Sequence, residues 1–341
     1  MACALLILCA LATAPAALCA ELPTGTTGLQ SDVVFSDYTP LARSFELVRR
    51  FLSPLNAMRV NQAAARSSAP LRDQPIDLAN ERFVLYVPAS APPQGYALLV
   101  FVPPWETATL PAQWTSALDR HAMIFVSAAK SGNRADVLDR REPLALLAEQ
   151  NVLRRLPIDP QRVYVGGLSG GARVALRIAL AYPDVFHGAL LNAGSDPIGT
   201  AEIALPPAEF MREFQESTRL VYLTGARDNF HLDEDVVSRQ SLNAWCVFNV
   251  ATETVPWRAH EIIDAAAFSR GLDALIAQSA PAARKLGTCR ERIDAALNEE
   301  LKRVEELLAA GKAAAAQRLL NKIDAHYGGL AAPRSTTLAG Q

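Results

Sequence analysis

Residues 162–182 read RVYVGGLSGGARVALRIALAY. An apolar run, Arg162 to Gly166, leads directly into Gly167-Leu168-Ser169-Gly170-Gly171, and a helical pattern follows from Gly170 to Tyr182. A G-x-S-x-G between a strand and a helix meets the needs of a nucleophile elbow. The serine stands on a strained turn with its hydroxyl exposed, and small neighbours let strand and helix approach. The pentapeptide alone is short enough to occur by chance, so the strand before it and the helix after it carry the reading. A helix that starts near Gly170 also directs its positive end toward a carbonyl bound beside Ser169.

Outward from this stretch the pattern alternates. Upstream, Arg82 to Val87, Ala97 to Val102 and Ala122 to Ser127 are short β-rich runs, and Pro143 to Leu156 has helical spacing with proline in its first turn. Downstream, Gly188 to Asn192, Leu220 to Thr224 and Cys246 to Ala251 read as strands, and Asp264 to Gln278 as a helix. Such alternation predicts an α/β fold with a doubly wound, mostly parallel sheet covered on both faces. Toward the C-terminus, Arg292 to Leu308 and Ala313 to Tyr327 each align apolar residues on one face, with Gly311 between them, which predicts a helical hairpin. One hairpin cannot stack into a solenoid, so packing on the main body is favoured over a partner-binding module, and no partner is specified. Leu41 to Ala65 predicts a leading helix interrupted at Pro54, Glu21 to Asp32 a loop, and Ala331 to Gln341 a frayed end. The expected organisation is a signal peptide over residues 1–20, a lead-in over 21–80, an α/β domain over 81–280 and a helical hairpin over 289–330.

With 341 residues, 50% of them hydrophobic and 20% charged, the chain has the composition of a globular protein and not of a disordered one. Its 33 basic and 35 acidic side chains leave no cationic excess, so nucleic acid is not an expected partner. Met1 to Ala20 (MACALLILCALATAPAALCA) lacks charged side chains and reads as a secretory signal cleaved after Ala20, with an uncleaved anchor as the alternative. Leu18 before Cys19 argues against lipidation. Periplasmic or secreted location follows, without stable membrane insertion after cleavage. Three of the five cysteines, Cys3, Cys9 and Cys19, fall in the signal; the remaining pair, Cys246 and Cys289, predicts one disulfide, the alternative being two buried thiols. Neither C-x-x-C spacing nor a histidine cluster signals a metal, and none is expected.

A serine hydroxyl needs an adjacent base, which in a strand–elbow–helix arrangement follows in the order Ser, acid, His. Of five histidines, His121 and His187 do not follow a late strand, His231 lies only three residues past the favoured acid, and His326 is in the helical tail. His260, after the last β run, remains. Asp228, on the loop after Leu220 to Thr224, is the favoured acid, with Asp196, Asp233 and Asp235 as rivals. One oxyanion donor should be the Gly170 N–H, and the other should come from the loop after Ala97 to Val102. There Pro103 and Pro104 have no N–H, so the Trp105 amide is the first available. Trp105, Phe230 and Trp257 lie on site-side loops and could stack on a substrate, or pack as ordinary aromatics. Asp196 to Arg219 leaves little length for a lid.

The run Asp159 to Ala172 (DPQRVYVGGLSGGA), the Gly225 to Asp228 loop and His260-Glu261 resemble the α/β-hydrolase superfamily. They are most similar to its secreted polyhydroxybutyrate-depolymerase-like and feruloyl- or acetyl-esterase-like branch, over about Arg82 to Gln278. The resemblance implies a cofactor-free ester hydrolase acting on a small or polymeric ester, with Ser169 as nucleophile, Asp228 as acid and His260 as base. The chain departs from that branch at Pro103-Pro104-Trp105, where His-Gly is usual. A serine peptidase of the same fold and a catalytically silent binding protein are the competing readings.

Overall fold

The computed structural model describes residues 26–67, 72–277 and 281–341. The signal segment, its cleavage site, Cys3, Cys9, Cys19 and the start of the lead-in lie outside these residues. Eight strands form one sheet: β1 (Gly28–Val33), β2 (Phe83–Val87), β3 (Tyr96–Val102), β4 (Met123–Ala128), β5 (Ile158–Leu168), β6 (Gly188–Asn192), β7 (Arg219–Gly225) and β8 (Val250–Val255). The helices are α1 (Ser44–Phe51), α2 (Pro54–Arg66), α3 (Thr115–Arg120), α4 (Glu142–Arg155), α5 (Gly170–Ala181), α6 (Ala208–Ser217), α7 (Asn229–Ala244), α8 (Ala265–Ile276), α9 (Ala283–Ala309), α10 (Ala313–Tyr327) and α11 (Arg334–Ala339).

The strand order is β1-β2-β4-β3-β5-β6-β7-β8. β2 runs antiparallel to β1 and β4, and every later pairing is parallel. This is the doubly wound, mostly parallel α/β architecture expected from the alternating pattern. Side chains of β5 show why both faces need cover: Val163 and Val165 enter one apolar cluster, Tyr164 and Leu168 the other. α4 and α5 pack on the first face, α3 and α8 on the second. The chain leaves β3 toward β4 on one side and returns to β5 before building outward through β8. The order therefore reverses between β3 and β5, where open α/β sheets place their sites beyond the strand C-termini.

Three expectations are corrected. The segment ending at Asp32, expected to be a loop, supplies β1, an edge strand with only Val33 buried. The run Cys246 to Ala251 is not the last strand. Cys246 adopts φ 64 just after α7, and β8 begins at Val250. The leading helix breaks where expected, into α1 and α2 parted before Pro54. Ala331 to Gln341 is not frayed, because α11 buries Ser335 and Leu338.

α9 and α10 form the expected hairpin, burying Ile293, Leu297, Leu301 and Val304 against Ala316, Leu320, Ile323 and Tyr327. It packs on the body. Asp324 accepts from the Ser53 hydroxyl at 2.5 Å and from the Leu55 amide at 2.9 Å at the start of α2. Arg290 reaches Gln215 and Glu216 on α6. Cys246 and Cys289 are joined, Cα to Cα 5.8 Å, linking the end of α7 to α9. No described helix is long and apolar enough to cross a membrane.

Candidate active site

β5 ends in the turn that carries Ser169, whose φ of 56° and ψ of −124° lie outside the regions open to most residues. α5 starts at the next residue. The turn closes because the flanking glycines lack side chains: a Cβ on Gly171 would overlap the carbonyl of Val102 at the end of β3. That close approach also brings the 102–105 loop alongside the elbow.

Asp228 and His260 arrive from the ends of β7 and β8. Asp228 is 7% exposed and stands immediately before α7. Its loop is tied to the β8 side by main-chain bonds from Ala226 to Val255 and from Arg227 to Arg258. The 258–259 backbone lies so close to Gly225 that a Cβ there would overlap the carbonyls of Arg258 and Ala259. His260, next along this backbone, is thereby delivered to both partners. Its Nε2 is 3.0 Å from Ser169 Oγ, and its Nδ1 is 2.9 Å from Asp228 Oδ2. Burial acts to raise the Asp228 pKa, but hydrogen bonds from His231 and His260 outweigh it and hold the carboxyl below its ordinary value. The carboxylate stays charged near neutrality.

The structure thus brings Ser169, His260 and Asp228 together. The rival acids are occupied elsewhere: Asp196 pairs with Arg173, Asp235 is buried and accepts from Ser195 and Thr224, and Asp233 is exposed on α7. Gly170, at the N-terminus of α5, is backed by Asn133, whose amide donates to the Pro104 carbonyl. Trp105 is half-buried against Phe101, and its indole Nε1 is buried without a partner among the described residues. Phe230 and Trp257 are 66% and 78% exposed. The Arg227 guanidinium lies 5.4 Å from the centre of the Trp257 ring.

Three further residues belong to this neighbourhood. His231, set aside on sequence order, donates from Nδ1 to Asp228 Oδ1 at 2.8 Å and stacks on His260 with ring centres 4.1 Å apart. The visible signal was the i, i+3 spacing from Asp228, which on a helix's first turn puts both side chains on one face. Arg173 on α5 pairs with Asp196 and, at 2.5 Å, with Glu234. Arg141 is buried, and its guanidinium donates to the carbonyls of Ser131, Pro103 and Gly170; nothing in the sequence distinguishes it from its neighbour Arg140. Asp228, His231 and His260 are also the described group whose ligand atoms, within 4.8 Å of one another, could hold a metal ion. In the observed arrangement both Nδ1 atoms are bonded to the carboxylate instead.

No family model matches the chain, and no curated protein matches it. Among solved structures it is similar to a ferulic acid esterase, at 17% identity over 57% of this chain and 90% of that one, with a TM-score of 0.41. It is also similar to a poly(3-hydroxybutyrate) depolymerase from Bordetella parapertussis, at 15% identity over 61% of this chain and 88% of that one, TM-score 0.42. A third is dipeptidyl peptidase 4 from Porphyromonas gingivalis, at 12% identity over 58% of this chain and 34% of that one, TM-score 0.43.

Proposed function

We propose that the chain is an exported serine hydrolase that cleaves carboxylic esters through an acyl-enzyme. The observation that carries the reading is the run of contacts from Ser169 Oγ to His260 Nε2 and from His260 Nδ1 to Asp228, starting on a strained turn at a helix N-terminus. Each group has the role its chemistry suits. His260 takes the Ser169 proton as Oγ attacks the ester carbonyl, and Asp228 holds the ring's orientation and stabilises the imidazolium. The oxyanion is held by the Gly170 N–H, with the Trp105 N–H as second donor, assisted by the dipole of α5. His260 then protonates the departing alcohol, and water, activated by the same ring, releases the acid.

An open site supports a bulky or polymeric ester. The His260 side chain is 41% exposed, Phe230 and Trp257 stand out into solvent beside it, and α6 packs against α5 and the Gly328–Ala331 turn. Large flat side chains with few rotors bind sugar or aromatic acyl groups at low entropic cost. Export is supported by the Cys246–Cys289 disulfide, which persists in oxidising compartments.

The test is the intact mass of the non-reduced protein before and after a fluorophosphonate probe, with Ser169→Ala as control, followed by parallel panels of esters and peptides. One adduct, lost in the variant, together with turnover of esters and not peptides, is expected. Folded protein that takes no adduct would sink the reading.

A further inference from the structure

His231 has no part in the proton transfers just described, yet it is bound into them. Asp228 uses both carboxylate oxygens on imidazoles: Oδ1 faces His231 Nδ1 at 2.8 Å and Oδ2 faces His260 Nδ1 at 2.9 Å. The two rings lie face to face, 4.1 Å between centres and 9° from parallel. They reach this arrangement from separate elements. His231 is in the first turn of α7, three residues beyond Asp228, and His260 comes from the loop after β8. Behind His231, Nε2 is 3.9 Å from Glu234, which pairs with Arg173 on α5, the helix that begins at the nucleophile turn.

Two consequences follow from elementary chemistry. A second N–H on Oδ1 stops the carboxylate from rotating, so Oδ2 stays aimed at His260. It also draws negative charge from Oδ2, leaving less to stabilise an imidazolium on His260. The stacked ring supplies a wall for His260, whose side chain is 41% exposed. Positive charge on both rings at this separation is disfavoured, so a proton on one opposes a proton on the other.

We propose that His231 is a positioning residue of this site: it fixes the Asp228 carboxylate and the His260 ring and shares the carboxylate with that ring. The proposal rests on reading Ser169, His260 and Asp228 as the hydrolytic machinery. The charged groups facing His231 are Asp228 just before α7, Glu234 and Asp235 from α7, His260 from the loop after β8, and Arg173 from α5 through Glu234.

The test uses the full chain with isotope-labelled histidine in wild type, His231→Phe and His231→Asn. Phenylalanine keeps a ring in the stack and removes the donor; asparagine keeps a donor near the place of Nδ1 and removes the titrating ring. The imidazole resonance of His260, assigned by its loss in His260→Gln, is followed against pH, which needs no turnover. Fluorophosphonate labelling of Ser169 is measured over the same range. In His231→Phe the His260 resonance should change position and the pH profile of Ser169 labelling should move up, with labelling roughly tenfold slower on its acidic side. In His231→Asn the move should be less than half of that. A His260 resonance and a labelling profile that are the same in all three proteins would overturn the proposal. If wild-type Ser169 takes no label while the His260 resonance still differs between the proteins, the hydrolase reading fails and the positioning role stands.

Discussion

Nη2 of Arg141 lies 2.9 Å from the carbonyl oxygen of Pro103, a buried contact that ties the loop carrying Trp105 to the rest of the site. The same guanidinium reaches the Gly170 carbonyl at 3.3 Å and that of Ser131 at 2.9 Å. Burial pulls its pKa down to about 10, with Glu106 and Glu142 opposing. A cation kept here, bonded only to carbonyls, acts as a fastener for two loops and the start of α5. Arg141→Met would orphan these acceptors at about 1–3 kcal/mol each and let the 103–105 loop drift. We expect kcat for a p-nitrophenyl ester to fall by roughly tenfold or more, with KM changed less, because in the proposed mechanism the loop serves charge that develops in the transition state. Arg141→Lys, a point donor in place of a planar fork, should fall between. Wild-type kcat in a folded Arg141→Met protein would show that the loop is held by other means.

Gly225→Ala tests how His260 is delivered. The new methyl would meet backbone, the carbonyls of Arg258 and Ala259, and backbone cannot swing aside as a flexible side chain can. The 256–260 loop must move, and displacements of about 1 Å at a reacting group cost on the order of 100-fold. Ester turnover should therefore drop by about that factor while the circular dichroism spectrum keeps its folded form and the thermal midpoint falls. Full turnover in this variant would mean that the loop has slack the close approach does not suggest.

The parts that were legible in the sequence are those where one physical pattern acts alone. β5, the turn at Ser169 and α5 combine an apolar strand buried on both faces, obligatory small residues and a helical stripe, and each is where the pattern put it. β6 matches its expected run residue for residue. β1 was hidden because GLQSDV sits at the sheet edge with one buried side chain, so no alternation marks it. The last strand was misplaced because the apolar Cys246-Val247 pair is buried outside the sheet while β8, VATETV, is half polar. His231 was set aside by an argument that sought one base and did not ask what else shares its acid. Arg141 had no signal at all, since its partners are carbonyls from two separate loops and the start of α5.

The Cys246–Cys289 bridge closes a loop of 43 positions and links α7 to the helical hairpin. On the chain-entropy account such a loop contributes about 4 kcal/mol, by restricting the unfolded chain. Cys246→Ser with Cys289→Ser should lower stability by an amount of that order in urea unfolding, and reductant should do the same to wild type and nothing to the double variant. Indistinguishable midpoints with and without reductant would mean that the hairpin's packing on α2 and α6 holds these elements without the bridge.

Glu149 gives a stability prediction with a definite sign. It is 5% exposed on α4, no cation pairs with it among the described residues, and burial, with Asp184 adding, pushes its carboxyl from 4.5 up to about 7. The folded state then holds a proton that the unfolded chain releases. Below about pH 4.5 both states are protonated and the residue costs nothing; as pH rises from there to 7 the unfolded chain ionises first, so stability falls, and above 7 the loss is complete. Up to about 3 kcal/mol is at stake for a shift of this size. Glu149→Gln removes the titration, so its advantage over wild type should be small at pH 4.5, grow through pH 6 and level off above pH 7. Urea midpoints measured across that range decide the matter: parallel curves for the two proteins would show that the carboxylate is ionised in the folded state at no cost.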